Sequence, residues 1–166
     1  MVSQLLYTLS IVFAFGMKAE GFGAPMPQAT RAFSIPTLNL LTDDGMSDEE
    51  RENALEKATK AMTAFTNTYL KNTDTKLCND KSIPAVVIKG LAEHKVSLGA
   101  PLCPCRFYDD KEAEAKAGYW NCPCVPMRER HECHCMLFLT EDNGFVGEES
   151  TISVDEVKKL SGGASM

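Results

Sequence analysis

Apolar residues recur at spacings of three and four at Leu55, Ala58, Met62, Phe65 and Tyr69. Those positions share one face of a helix and predict one over 48–71. Its start is marked as well, because Ser47 is followed three residues on by Glu50, the arrangement of a capping box. A second helix is expected over 82–98. Pro84 suits its first turn, Val87, Leu91 and Leu98 lie on one side, and Gly99-Ala100-Pro101 stops it. A short charged helix fits 109–117, ahead of Gly118, and another fits 154–160, where Ser153 and Glu156 repeat the capping pair. Between 139 and 152 the chain reads as loop, with a short strand expected around Phe145. The pattern predicts a mainly α protein, a small helical domain with a loop-rich second half.

Residues 1–42 do not follow this pattern. An almost unbroken apolar run over 5–16 has the length of a signal-peptide core and is too short to span about 30 Å of bilayer as a helix. Small residues follow at Ala19 and Gly21, and Phe22 comes next. From there to residue 42 the chain has Pro25, Pro27, Pro36, one arginine and no acid, a composition suited to a second targeting segment. The expectation is a presequence over 1–42, signal-like over 1–21 and transit-like over 22–42, ahead of a folded domain over 43–166. A signal core followed by phenylalanine and an acid-poor stretch resembles the bipartite presequences of plastids acquired by secondary endosymbiosis. That resemblance implies delivery to a plastid stroma.

Composition narrows the function by exclusion. The net charge is −6, and about −7 for residues 43–166 alone, which argues against non-specific nucleic-acid binding. The sequence contains no glycine-rich phosphate loop, no nucleophile-elbow serine and no long basic stripe. What remains is cysteine. Six of the seven fall within the 33 residues from Cys103 to Cys135, too local a cluster to staple a whole domain. Cys78 stands apart and reads as a buried, inert thiol.

The six form three pairs: Cys103-Pro104-Cys105, then 16 residues, Cys122-Pro123-Cys124, then eight, and Cys133-His134-Cys135. Structural zinc favours Cys-x2–4-Cys knuckles. Single-residue spacers, two of them proline, do not suit that turn. Three independent disulfides would be crowded at such spacing. A zinc- or disulfide-stabilised binding module without catalysis is therefore the alternative reading. A cubane 4Fe–4S cluster takes four thiolates, which leaves two sulfurs of six as a dithiol or disulfide beside it. A one-electron centre touching a two-electron thiol pair converts one kind of reducing equivalent into the other. Spacing alone leaves all fifteen choices of four from these six open.

The three-part pattern resembles that of the catalytic chain of ferredoxin–thioredoxin reductase. The likeness is carried by Leu102-Cys103-Pro104-Cys105-Arg106, by Tyr119-Trp120-Asn121-Cys122-Pro123-Cys124-Val125-Pro126-Met127-Arg128-Glu129-Arg130, and by Glu132-Cys133-His134-Cys135-Met136-Leu137-Phe138-Leu139. It runs from about Ser47 to near the C-terminus. The resemblance implies a helical domain folded around a 4Fe–4S cluster held by Cys103, Cys122, Cys124 and Cys133. It implies that Cys105 and Cys135 form the redox-active disulfide, Cys105 as the exposed nucleophile and Cys135 against the cluster. His134 would be the adjoining proton donor and acceptor. One departure is visible: His131 stands where the family pattern has lysine.

The implied activity is the transfer of electrons from ferredoxin to the disulfide of thioredoxin. With plant-type ferredoxins near −400 mV and thioredoxin near −270 mV, two electrons fall by roughly 6 kcal/mol. A histidine with a reference pKa of about 6.5 suits proton transfer near neutrality. The resemblance also implies a second, variable (alpha) chain as heterodimer partner, and neither nucleic acid nor membrane. Arg106, Lys111, Lys116, Arg128 and Arg130 fall in the cysteine region and could form a patch for an acidic ferredoxin.

Overall fold

A computed structural model of the chain describes residues 45–162. The expected presequence over 1–42 lies outside the described residues. Among these residues there are five helices: α1 Asp48–Thr73, α2 Ser82–Leu98, α3 Lys111–Ala117, α4 Val125–Arg130 and α5 Val154–Leu160. Among the described residues β structure is limited to three isolated antiparallel bridges, Lys76 with Leu139, Cys78 with Val146 and Leu102 with Asn121. The mainly helical expectation holds. No helix among the described residues is long and apolar enough to cross a membrane.

Both capping boxes form. The Glu50 backbone N–H donates to Ser47 Oγ at 3.3 Å while Glu50 Oε2 accepts from the Ser47 backbone at 3.0 Å. Ser153 and Glu156 do the same at 3.2 and 2.8 Å. Each box satisfies two backbone donors that a helix start would otherwise leave unpaired. α2 uses Asp80 instead, whose Oδ1 accepts from the backbone and hydroxyl of Ser82 at 3.0 and 2.7 Å. α3 starts two residues later than expected because Asp110 remains outside as its cap, accepting from Ala113 N at 2.9 Å.

The buried stripe of α1 is Ala58, Thr59, Met62, Thr63, Thr66 and Leu70, rotated from the purely apolar face. Thr59 and Thr63 turn their hydroxyls back to the carbonyls four residues earlier, each at 2.8 Å. Their donors are satisfied within the helix, so they pack much as valine would. The rotation leaves Phe65 and Tyr69 at the margin of the core, where both meet Phe138. α2 packs between α1 and α5, which is why it buries Ala85, Val87, Ile88, Leu91 and Ala92 on more than one side. Leu77, Leu137, Phe138 and Met127, all at most 1% exposed, close the core from the cysteine half. Each such side chain contributes about 1.5–3 kcal/mol by leaving water.

Two features differ from the sequence reading. α4 was not expected: six residues are too few for a period, and its signal is Pro126 in the first turn, where the missing N–H costs nothing. The strand around Phe145 is reduced to one bridge at Val146. The Phe145 N–H is taken by Asn143 Oδ1 at 3.0 Å, and that of Val146 by the Asn143 carbonyl at 3.0 Å. With those two donors spent inside the turn, pairing with the 77–79 segment runs through the Gly147 N–H, which donates to the Leu77 carbonyl at 2.8 Å, and through the Phe145 carbonyl, which accepts from Asn79 at 2.9 Å.

Candidate metal and thiol centre

The three cysteine pairs lie on separate segments that backbone hydrogen bonds draw together. Cys103 N–H donates to the Trp120 carbonyl at 3.0 Å and Cys122 N–H to the Pro101 carbonyl at 2.8 Å. With the Leu102–Asn121 bridge these hold Cys103 beside Cys122. The Cys122–Pro123 peptide is cis. Cys124 is the N-cap of α4, and its carbonyl accepts from Arg128 N–H at 3.0 Å. His131 ends α4 in the left-handed conformation at φ 56°, donating to the Met127 carbonyl at 3.1 Å, and the chain turns into Cys133.

The sulfurs of Cys103, Cys105 and Cys135 lie within 4.8 Å of one another. Cys103 Sγ and Cys135 Sγ are 2.8 Å apart. Cys103 and Cys135 are buried and Cys105 is exposed. Cys122, Cys124 and Cys133 are partly buried and pack against the core. They face the aromatic edge of α1: burial raises the Tyr69 hydroxyl above its ordinary pKa, and negative charge on Cys122, Cys133 and Cys124 raises it further. All six sulfurs share one region. Cys78 is apart from them, buried, with its thiol 3.5 Å from Asn79 Oδ1.

Electrostatics say what the site lacks in protein groups. Burial pushes Cys122 well up, and Cys133, Cys103, Cys124 and Cys105 add to the shift. Burial raises Cys133 too, against backbone N–H groups of Phe138, Leu137 and Cys135 that favour its thiolate. Several buried thiolates repel one another too strongly to coexist without a cation, so the donor set fits a metal centre that supplies the missing charge. Backbone N–H groups aimed at sulfur are the surroundings that tune thiolate-bound iron.

Among the three close sulfurs, hydrogen bonds from Cys105 and Cys135 bring Cys103 below the usual thiol range. Cys105 is correspondingly pushed up to about 12, Cys103 being the first cause. Cys135 is also raised, for the same reason. A metal bound to Cys103 would take up its charge and remove the cause.

His134 is exposed between Cys133 and Cys135. With His131, Glu132 and Cys133 it lines a surface cavity of about 230 Å³. Three of the five basic residues expected as a patch are engaged locally. Arg106 lies 3.6 Å over the Trp120 ring, Lys111 Nζ is 3.3 Å from His94 Nε2, and Arg130 pairs with Glu132 at 2.9 Å. Sequence reasoning missed two supports of the Cys103 segment. His94 Nδ1 donates to the Leu102 carbonyl at 2.7 Å, and the Tyr108 hydroxyl donates to the Cys103 carbonyl at 2.9 Å. A carbonyl only accepts, so the His94 proton is on Nδ1, and Nε2 is left to accept from Lys111. Neither residue carries a sequence signal, because each acts on a backbone carbonyl, which every residue has.

Fold and site together define a small helical protein with a cysteine cluster suited to a metal or iron–sulfur centre, one of whose close thiols, Cys105, is exposed. The family model for the ferredoxin thioredoxin reductase catalytic beta chain matches residues 51–160. The ferredoxin-thioredoxin reductase catalytic chain, chloroplastic, of Spinacia oleracea is 63% identical over 105 residues, covering 63% of this chain and 73% of its own length. The catalytic chain of Synechocystis is 55% identical over 115 residues, covering 69% and 96%. That of Guillardia theta is 63% identical over 92 residues, covering 55% and 90%. The chain belongs to the ferredoxin thioredoxin reductase catalytic beta chain family.

Proposed function

We propose that this chain is the catalytic chain of a ferredoxin–thioredoxin reductase, passing electrons from reduced ferredoxin to the disulfide of thioredoxin. Family membership supports the activity, and so does one observation above others: an exposed thiol, Cys105, within 4.8 Å of the buried sulfurs of Cys103 and Cys135. Such a thiol can meet a protein substrate while its partner stays shielded.

In this reading Cys103, Cys122, Cys124 and Cys133 hold a 4Fe–4S cluster. When bound, the cluster supplies one-electron chemistry next to the Cys105 and Cys135 pair. The reduced pair then acts by thiol exchange. The Cys105 thiolate attacks one sulfur of the thioredoxin disulfide, forming a mixed disulfide and releasing the other sulfur as a thiolate that takes a proton. Cys135 attacks Cys105 Sγ, closing the Cys105–Cys135 disulfide and freeing the second thioredoxin sulfur, which is also protonated. Two electrons leave the pair and one thioredoxin disulfide becomes a dithiol. His134, adjoining both steps and open to water, carries the protons. Two ferredoxin electrons restore the pair.

The reading includes a variable chain as heterodimer partner, as the family resemblance implies. It also includes a domain over 43–166 that reaches a plastid stroma of secondary origin after loss of residues 1–42. Relatives named as chloroplastic support the plastid. The composition of 1–42 supports the two-part address. The test of the whole reading is anaerobic purification followed by iron, sulfide and visible spectroscopy. A brown protein with about four iron and four acid-labile sulfide per chain is expected. A colourless, zinc-containing protein overturns it.

A further inference from the structure

Phe107 is the most exposed large apolar side chain among the described residues, at 91%. Both its neighbours are tied down. Arg106 is stacked over Trp120 at 3.6 Å, and Tyr108 is buried with its hydroxyl on the Cys103 carbonyl at 2.9 Å. With residues 106 and 108 held, the ring between them is presented to water, not merely left there. An apolar ring in water gains burial energy only when another surface covers it.

The place of Phe107 in the chain says which molecule. It is two residues from Cys105, a stretch that spans about 7 Å at most. Exchange at Cys105 brings the partner's sulfur to a bond length of about 2.05 Å. A folded protein that comes so close to Cys105 passes within reach of Phe107. The ring shares a surface groove of about 370 Å³ with Tyr108, Trp120, Arg106, Asp109, Asp110 and Glu114. The surface therefore offers one aromatic projection beside a groove that carries three acids and one base.

We propose that Phe107 is the docking anchor for the disulfide substrate: it seats against an apolar patch beside the disulfide of thioredoxin, while Asp109, Asp110 and Glu114 face basic residues on that partner. The inference rests on the activity proposed above and adds a specificity-determining residue to it. A single aromatic anchor surrounded by weaker polar contacts is the common distribution of energy at a protein interface.

The experiment is steady-state kinetics of the holoenzyme, driven by ferredoxin, with thioredoxin varied. Phe107→Ala should raise the KM for thioredoxin by about five- to tenfold with kcat held within about twofold. Phe107→Leu should recover most of that loss. Phe145→Ala, a change at another exposed aromatic (61%) on a different turn, should alter neither constant. Iron content equal to wild type verifies that the variants are folded. An unchanged KM in Phe107→Ala, with wild type active on thioredoxin, overturns the anchor and leaves the activity standing. Wild type with a full cluster and no activity on thioredoxin overturns the activity itself. A change in the sedimenting mass of Phe107→Ala with KM unaltered would assign the ring to contact with another subunit and also overturn the anchor.

Discussion

Tyr108 gives its phenolic hydrogen to the carbonyl of Cys103 at 2.9 Å, across a turn that has Cys105 at its centre. His94 holds the preceding carbonyl, that of Leu102, at 2.7 Å. Two consecutive carbonyls are thus pinned just before the exposed thiol. Tyr108→Phe keeps the ring and loses the bond, and should cost about 1 kcal/mol. Denaturant unfolding of the metal-loaded protein measures it, and an unmoved midpoint would remove the hydroxyl from any supporting role.

Serine at Cys103, Cys122, Cys124 or Cys133 should in each case abolish the cluster and much of the fold, because metal binding and folding are linked. Iron and sulfide analysis of the four variants decides the ligand set. Full content in any one of them removes that residue from it.

Cys105→Ser and Cys135→Ser should both keep the cluster and then behave differently. Cys105→Ser lacks the attacking sulfur and forms no adduct with thioredoxin. Cys135→Ser lacks only the resolving sulfur, so it should trap a mixed disulfide between Cys105 and a thioredoxin whose second cysteine has been removed. Non-reducing electrophoresis reads the result. An adduct with Cys105→Ser alone exchanges the two roles.

Acid should loosen the α5 attachment. The backbone of Ser153, the ammonium of Lys81 and the hydroxyl of Ser153 bring Glu156 down from 4.5 to about 2. A carboxylate lowered in the folded state stabilises it above the unfolded pKa, and that contribution is lost as pH falls from about 4.5 towards 2. Wild type should therefore melt above Glu156→Gln near neutrality, with the gap narrowing below about pH 4.5. A gap that does not depend on pH would falsify this account of the charge.

A fluorescent protein fused behind residues 1–45 should reach the plastid. Secretion into the medium would reject the two-part presequence and leave the folded domain unaffected.

Local chemistry was readable from residue order. Ser47 with Glu50 and Ser153 with Glu156 announced two helix starts, Gly99 and Gly118 two helix ends, and the formed helices follow them closely. These signals act within four residues, so the chain states them directly. The three cysteine pairs were equally plain as a set. Beyond that reach, residue order says little. Thr59 and Thr63 look polar in sequence and are buried because their hydroxyls bond within their own helix, which rotates the face of α1 and sends Tyr69 towards the cysteines. The six residues of α4 are too few to show a period. His94 on Leu102, Tyr108 on Cys103 and the outward turn of Phe107 all depend on backbone and ring atoms brought together by folding, and a backbone carbonyl has no letter in the sequence. Which sulfurs meet was decided the same way: Cys103 sits beside Cys122 because Pro101 and Trp120 pair with Cys122 and Cys103, and Cys135 comes within 2.8 Å of Cys103 as Cys103, Cys135, Leu137 and Phe138 join one core cluster. Periodicity and caps record short-range forces, whereas the site is made by long-range contacts that only the packed core holds in place.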